Sequence, residues 1–442
     1  MHAASCLILL TALAAGSDNW PAFQGAGVQP PPAAQLPLKW SPESNIAWTS
    51  DLPGYGQSSP VVWNGKIYLT SIDGPNKETN IVTCWNLADG APVWRKDFKS
   101  SQPIKSSTYV SRAAPTPAVD QLGVYAFFES GDIIALSHDG EPLWSKSLIA
   151  EYGEMKSNHG LGASPALTEN AVVLLVENDG PSYLVALDKK TGEAIWKTDR
   201  ESRISWSSPR VISTPGGPQV VISSSGTVDG YDVDSGKQLW SIGDLGGNTT
   251  NTPMPYGDGL FLVGASAGRG EDSSGGAKRS NMAVRVRESD AGPTAEVLWR
   301  NEKASSSFST PIVHQGVAYW VNKSGVVFGV DVESGETLFT ERLGQSCWAT
   351  SLGAGDRVYF FGKDGLTTVV KAGPKWEVLA ENTLWDEEAE APAAEAAPVA
   401  EGEEAGRRGP PARSSGPVLY GYAAVPGKLL IRTGPKLYCI TP

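Results

Sequence analysis

One phrase recurs along this chain and constrains its fold more than any other feature. It reads Ala186-Leu-Asp188-Lys-Lys-Thr191-Gly192-Glu-Ala-Ile-Trp196. The same frame returns as Cys84-Trp-Asn86-Leu-Ala-Asp89-Gly90-Ala-Pro-Val-Trp94, as Gly230-Tyr-Asp232-Val-Asp-Ser235-Gly236-Lys-Gln-Leu-Trp240, and as Gly329-Val-Asp331-Val-Glu-Ser334-Gly335-Glu-Thr-Leu-Phe339. Each copy ends one strand, turns on a polar segment with glycine, and opens a strand that carries an aromatic. The aromatics Trp48, Trp94, Trp144, Trp196, Trp240, Trp299 and Phe339 lie 46, 50, 52, 44, 59 and 40 residues apart. A period of about 40–50 residues suits one four-stranded propeller blade.

Each unit also opens alike, with Ser59-Pro60, Thr116-Pro117, Ser164-Pro165, Ser208-Pro209, Thr252-Pro253 and Thr310-Pro311. Proline is tolerated at the start of a strand, where only one ladder donor is lost. Turns such as Asn64-Gly65 and Asp258-Gly259 follow, then apolar strands such as Lys66-Ile-Tyr-Leu-Thr70. Six units are clear. A seventh, from Thr350 to Ala380, keeps the pattern loosely. The eighth has three strands, around Leu419, Leu430 and Tyr438, and its fourth is predicted to be the N-terminal Asn45-Ile-Ala-Trp48-Thr-Ser-Asp-Leu52. Joining the termini in one blade removes two free sheet edges. The expected fold is all-β: an eight-bladed β-propeller over residues 45–442, with seven blades as the alternative. The seven spaced aromatics read as structural, each indole lying against the next blade and donating its N–H to backbone there.

Net charge is −12, which argues against nucleic acid as a partner, since phosphate binding needs a basic face. Residues 386–415 carry eight acids and three bases in an Ala/Pro/Glu-rich run without periodicity, and read as a disordered insertion. Gly268–Lys278 reads as a second flexible loop. Residues 1–16, with the apolar run to Ala15 ending in small residues, read as a signal peptide, too short to span a membrane. Residues 17–44 form a lead-in. A secreted or periplasmic monomer is expected, with no transmembrane segment. Cys84, Cys347 and Cys439 follow the cleavage region, and Cys84 and Cys439 fall at comparable blade positions, as buried small hydrophobes.

The eleven-residue frame resembles the tryptophan-docking motif of the pyrroloquinoline-quinone (PQQ) β-propeller repeat family, Ala-x-Asp-x-x-Thr-Gly-x-x-x-Trp. Residues 186–196 match every fixed position, and Asn19-Trp20-Pro21-Ala-Phe23-Gln-Gly25 is similar to the lead-in seen before such propellers. The family includes quinoprotein alcohol and glucose dehydrogenases and the non-catalytic propeller lipoprotein of the outer-membrane barrel assembly machinery. The resemblance therefore implies the fold, while function must come from the site.

The innermost strand of each blade lines the axial channel, and the loops ahead of it form one mouth. Those loops supply the candidate ligand-binding residues Tyr109, Arg112, Lys156, His159, Trp206, Asn251 and Trp348. Arg112 and Lys156 suit a carboxylate, and Trp206 and Trp348 suit a flat ring or a sugar face. No catalytic set, metal site or cofactor emerges. The family's enzymes use PQQ with Ca²⁺ and commonly an adjacent cysteine pair, and no two cysteines are adjacent here. The leading expectation is a non-catalytic scaffold that binds an envelope protein or glycan. The alternative is a divergent PQQ- and Ca²⁺-dependent dehydrogenase acting on an alcohol or sugar.

Overall fold

The innermost strands of the blades surround an axis across which they have no sheet neighbour, so each must satisfy its backbone by other means. A computed structural model describes residues 18–103, 111–157, 160–247, 250–265, 276–385 and 417–442. The expected signal peptide, most of the loop after Ala265 and the acidic insertion lie outside the described residues, while Gly276–Arg279 forms a short helical turn.

Eight four-stranded antiparallel sheets surround the axis, which settles the blade count against seven. Blade 1 comprises Val61–Trp63, Lys66–Asp73, Thr79–Asn86 and Pro92–Lys99, and blades 2 to 7 repeat that order along the chain. Blade 8 takes Leu419–Val425, Lys428–Thr433 and Lys436–Ile440 from the C-terminus and Ile46–Asp51 from the N-terminus, so the ring closes as expected. Apolar clusters fill the space between neighbouring blades; one joins Val172, Leu174 and Val185 of blade 3 to Tyr125 and Phe127 of blade 2. The core is therefore a set of inter-blade layers.

The opening hydroxyls form a chain of hydrogen bonds around the axis. Ser59 N donates to Thr116 Oγ1 (2.9 Å), Thr116 N to Ser164 Oγ (3.0 Å) and Ser164 N to Ser208 Oγ (2.9 Å). Ser208 N then donates to Thr252 Oγ1 (3.1 Å), Thr252 N to Thr310 Oγ1 (3.2 Å) and Thr310 N to Thr350 Oγ1 (3.2 Å). The opening N–H of each of blades 1 to 6 is thus satisfied by the next blade. Blade 8 has Gly421 at the close approach, and a Cβ there would stand 2.1 Å from Ser59 Oγ.

The repeated frame solves a second problem. Its first residue pairs across the sheet with the aromatic: Cys84 with Trp94, Ala135 with Trp144, Ala186 with Trp196, Gly230 with Trp240, and Cys439 with Trp48. A small residue is needed there because the large ring crosses over it. The frame's glycine serves the preceding blade. Gly192 has φ +74°, and a Cβ on it would lie 2.7 Å from the Trp144 ring. Gly90, Gly236 and Gly335 stand in the same way to Trp48, Trp196 and Trp299. The indoles of Trp94, Trp144, Trp196 and Trp299 donate to the carbonyls of His138, Lys189, Val233 and Val332 in the following blade, at 2.9–3.0 Å. Trp48 and Trp240 differ: among the described residues the Trp48 indole N–H has no hydrogen-bond partner, and the Trp240 indole donates to Gln219 of its own blade (2.7 Å). The corresponding turn of blade 5 is longer, and nothing stands within 4 Å of a Cβ on its Gly292. Phe339 has no N–H to donate and packs on Trp376 of blade 7 (5.7 Å). Cys84, Cys347 and Cys439 are buried and free.

The lead-in crosses the end of the channel at which the first–second strand turns gather. Trp20 pairs with Val62 through two 2.8 Å backbone bonds, and Val119 N donates to Pro21 O (2.8 Å). Gln24 reaches Thr350 Oγ1 (2.9 Å) on the far side. The segment then runs outward between blades 7 and 8, where Tyr359 donates to Pro37 O (3.1 Å) and Asn382 to Leu38 O (3.1 Å).

Replacing Ser164 by Ala leaves the buried Thr116 N–H without its acceptor and is expected to destabilise the fold by about 1–3 kcal/mol, with Ser164→Thr close to wild type. A urea midpoint for Ser164→Ala equal to that of Ser164→Thr contradicts this. The aspartates of the frame give a pH test. Asp188 and Asp331 accept chiefly from the backbone N–H of Thr191 and Ser334, and Asp232 chiefly from the Ser235 hydroxyl, which holds all three carboxyls below the usual range. A depressed folded-state pKa gives stability that is full above the unfolded value of about 4 and is lost as pH falls through the folded value. The difference in thermal midpoint between wild type and Asp188→Ala should accordingly be largest at neutral pH and shrink in acid.

Candidate functional site

The loops that join one blade's fourth strand to the next blade's first strand gather at the end opposite the lead-in. They display an arc of aromatic rings. Phe308, between blades 5 and 6, lies 5.3 Å from Trp348, between blades 6 and 7. Trp348 lies 6.4 Å from Tyr420, which enters blade 8, and Tyr420 lies 6.2 Å from Tyr55, edge to face. The two phenols share a 2.7 Å hydrogen bond. The Arg112 guanidinium covers the Tyr55 ring at 3.7 Å and the Lys363 ammonium stands 5.4 Å over Trp348. Phe308 is 50% exposed, a large apolar ring open to solvent at one end of the arc. The arrangement pairs ring faces with two cations and includes no carboxylate.

The supports beneath the arc are buried and charged. Gln57 brackets Arg112, its amide oxygen accepting from Arg112 N (2.9 Å) while its own N–H donates to Arg112 O (3.0 Å). On either side of Arg112, Lys77 Nζ donates to Ser111 O (2.8 Å) and Ala113 N donates to Glu129 Oε2 (2.9 Å). Lys77 and Glu129 pair at 3.3 Å with side chains only 3% exposed. Burial pushes the Glu129 carboxyl up, while the Lys77 ammonium and the Ala113 N–H pull it back. Arg432 lies below Tyr55 and holds Ser58 and Ser71 through its two Nη groups. Burial lowers its pKa to about 9, which leaves it charged at neutral pH. A Cβ on Gly56 would stand 2.1 Å from its Nη2, so glycine is required where the mouth loop crosses this guanidinium.

The structure joins Arg112 and Trp348 of the sequence-derived set through Tyr55 and Tyr420. Trp206 sits between blades 3 and 4, donates its indole N–H to Gly160 O (2.9 Å) and lies on Gly162. Lys156 is exposed between blades 2 and 3, its backbone N–H on Asn178 Oδ1 (3.0 Å). Asn251 is buried and ties its loop to its neighbour, accepting from Ser306 Oγ (2.7 Å) and donating to Thr250 Oγ1 (3.1 Å). Tyr109 and His159 lie outside the described residues. Sequence reasoning missed Tyr420 and Lys363. Tyr420 follows the insertion in an opening without the Ser/Thr-Pro signature, and Lys363 belongs to a second–third strand turn, a position that shares this mouth. Arg432 did carry a signal, as the one charge ending the apolar strand Lys428-Leu-Leu-Ile-Arg432.

Among the described residues no group of three or more His, Cys, Asp and Glu could hold a metal ion. Cys347, the cysteine beside this mouth, is buried, and burial pushes its thiol up to about 12.

Fold and repeat together define a PQQ-like eight-bladed propeller. The PQQ_2 family, described as outer membrane protein assembly factor BamB, matches residues 39–160 and 78–341, and the chain belongs to it. Outer membrane protein assembly factor BamB of Yersinia pestis is 22% identical over 229 residues, 51% of this chain and 53% of the relative. BamB of Burkholderia pseudomallei is 25% identical over 232 residues, 50% of this chain and 54% of the relative. The chain thus spans about half the length of these relatives. Among solved structures, BamB from Moraxella catarrhalis superposes with a TM-score of 0.58 at 12% identity, covering 89% of this chain and 96% of that one. Quinohemoprotein alcohol dehydrogenase from Comamonas testosteroni gives 0.56 at 13% identity, covering 97% and 81%. At these identities the superpositions establish the fold alone.

Glu129→Gln removes the partner of a buried ammonium and is expected to cost about 3–5 kcal/mol, concentrated in the loop that carries Arg112. Hydrogen exchange at Ala113 is the direct readout. Unchanged protection there would show that the ion pair does not hold the loop.

Proposed function

We propose that this chain is a non-catalytic protein-binding scaffold of the bacterial envelope, of the outer-membrane-assembly type, acting as a periplasmic or secreted monomer. The observation that carries this reading is the aromatic arc from Phe308, its exposed end, to Arg112. Aromatic rings and arginine are the residue types enriched at binding hot spots. The two cations set into a chain of net charge −12 select a partner segment that combines acidic side chains with apolar anchors. Membership of the BamB family supports a partner from the barrel assembly apparatus. Among the described residues no helix is long and apolar enough to cross a membrane.

A photo-crosslinking amino acid at Phe308 of the full chain, produced in a bacterium with an outer membrane, should trap a component of that apparatus. Adding Trp348→Ala is expected to lower the yield about thirtyfold or more, as for loss of a hot-spot aromatic worth 2 kcal/mol or above, without moving the thermal midpoint. A yield insensitive to Trp348→Ala would remove the arc from the interface. Reduction of an artificial electron acceptor by the purified protein with PQQ, Ca²⁺ and an alcohol or sugar would replace the scaffold reading with a dehydrogenase.

A further inference from the structure

The openings of blades 1 to 6 place Val61, Ala118, Ala166, Arg210, Met254 and Ile312 directly after their prolines. Five of these are apolar and one is a guanidinium. Arg210 is 6% exposed at the channel wall, at the end the lead-in crosses. Among the described residues it makes no ion pair, and its Nε has no hydrogen-bond partner. Its Nη groups meet only neutral oxygens, Phe23 O at 3.4 Å and Gln24 Oε1 at 2.5 Å.

Two cavities flank that contact, and Arg210 lines both. One, of about 350 Å³, runs beside Phe23, Trp63 and Ser208. The other, of about 800 Å³, runs beside Gln24, Tyr256 and Thr350. The charges nearby do not neutralise Arg210. Asp120 and Lys189 neutralise each other at 2.7 Å. Glu169 and Asp258 are exposed. His314 is half-enclosed by Gly355, and burial lowers its pKa, so it adds no charge at neutral pH. The site holds one uncompensated positive charge in space sized for a small molecule.

We propose that this end of the channel binds a small organic carboxylate, with Arg210 as its anchor and the lead-in as a displaceable occupant. A guanidinium matches a carboxylate as a two-pronged fork, and a single negative charge is what this site lacks. A phosphate dianion would leave one charge uncompensated in a buried setting. The lead-in is suited to yield. Gln24 and Ala26 adopt φ of 56° and 50°, a left-handed backbone that residues with side chains rarely adopt. A carboxylate takes over the place of the Gln24 amide oxygen with a charge-assisted bond and lets this turn relax. The site is at the opposite end of the channel from the aromatic arc and stands independently of the scaffold reading.

The test uses the purified full chain, with the monocarboxylate butyrate as probe, titrated calorimetrically and by tryptophan fluorescence, since Trp20 and Trp63 line the cavities. Butyramide is the uncharged control and inorganic phosphate the competing anion. Saturable butyrate binding is expected, weakened about tenfold or more in Arg210→Gln, since hydrogen bonds to a charged group are worth about 1.5–3 kcal/mol. Gln24→Ala, which frees the guanidinium without removing it, should tighten binding. Gln24→Ala also covers the case in which Arg210→Gln perturbs the lead-in. Absence of butyrate binding to both wild type and Gln24→Ala at about 10 mM, a concentration that detects even millimolar affinity, overturns the proposal. So does equal binding by butyramide, and tighter binding of phosphate than butyrate overturns the choice of carboxylate.

Discussion

The chain of hydroxyl-to-backbone bonds around the axis is the constraint on which the rest of this structure depends. A propeller's innermost strands are edges that face a channel, and an unpaired N–H buried there costs as much as a lost hydrogen bond. The Ser/Thr-Pro opening answers twice. The hydroxyl accepts from the preceding blade, and the proline removes the next donor altogether. Because the acceptor always belongs to the neighbour, no blade is complete alone, and the blades are held in angular register close to the axis. Gly421 shows the same constraint from the other side. Blade 8 has no hydroxyl to offer at that point, and it accommodates Ser59 by having no side chain.

Farther out, the repeated frame does for the rim what the hydroxyls do for the axis. Its parts serve different blades: the small first residue and the aromatic meet within one sheet, while the glycine receives the aromatic of the preceding one. With both radii fixed, the loops at the ends of the ring are freed from holding the fold. That is why an aromatic arc can be displayed at one mouth, and why its own support is local, through Lys77, Glu129, Gln57 and Arg432.

The fold was legible in the sequence because repetition samples the same physics many times. Even the split blade was readable, since Asn45–Leu52 resembles a fourth strand wherever it occurs. The site was legible only in part. Arg112 and Trp348 were found because they precede an opening strand. Tyr420 and Lys363 were missed because a mouth collects residues from two loop classes, and adjacency across blades leaves no trace in spacing. Asn251 has the right address and a different task, since a short amide is as useful for tying two buried loops as for meeting a ligand. The hydroxyl chain was visible as Ser/Thr-Pro, but its partners lie 40 to 58 residues away and no local rule pairs them.

The two ends of the channel differ in what closes them. At one end the lead-in enters as an extra strand-like neighbour, Trp20 pairing with Val62 and Val119 bonding Pro21, so part of the innermost edge is satisfied by backbone. The opposite end has no such segment among the described residues, and its edge groups are met by side chains such as Gln57, Glu129 and Arg432. Backbone pairing tolerates many sequences, whereas side-chain pairing fixes residue identity. The specific chemistry of this propeller therefore concentrates at the mouth the lead-in leaves open. Arg210 stands apart at the other end, as a buried charged side chain without an ion-pair partner among the described residues.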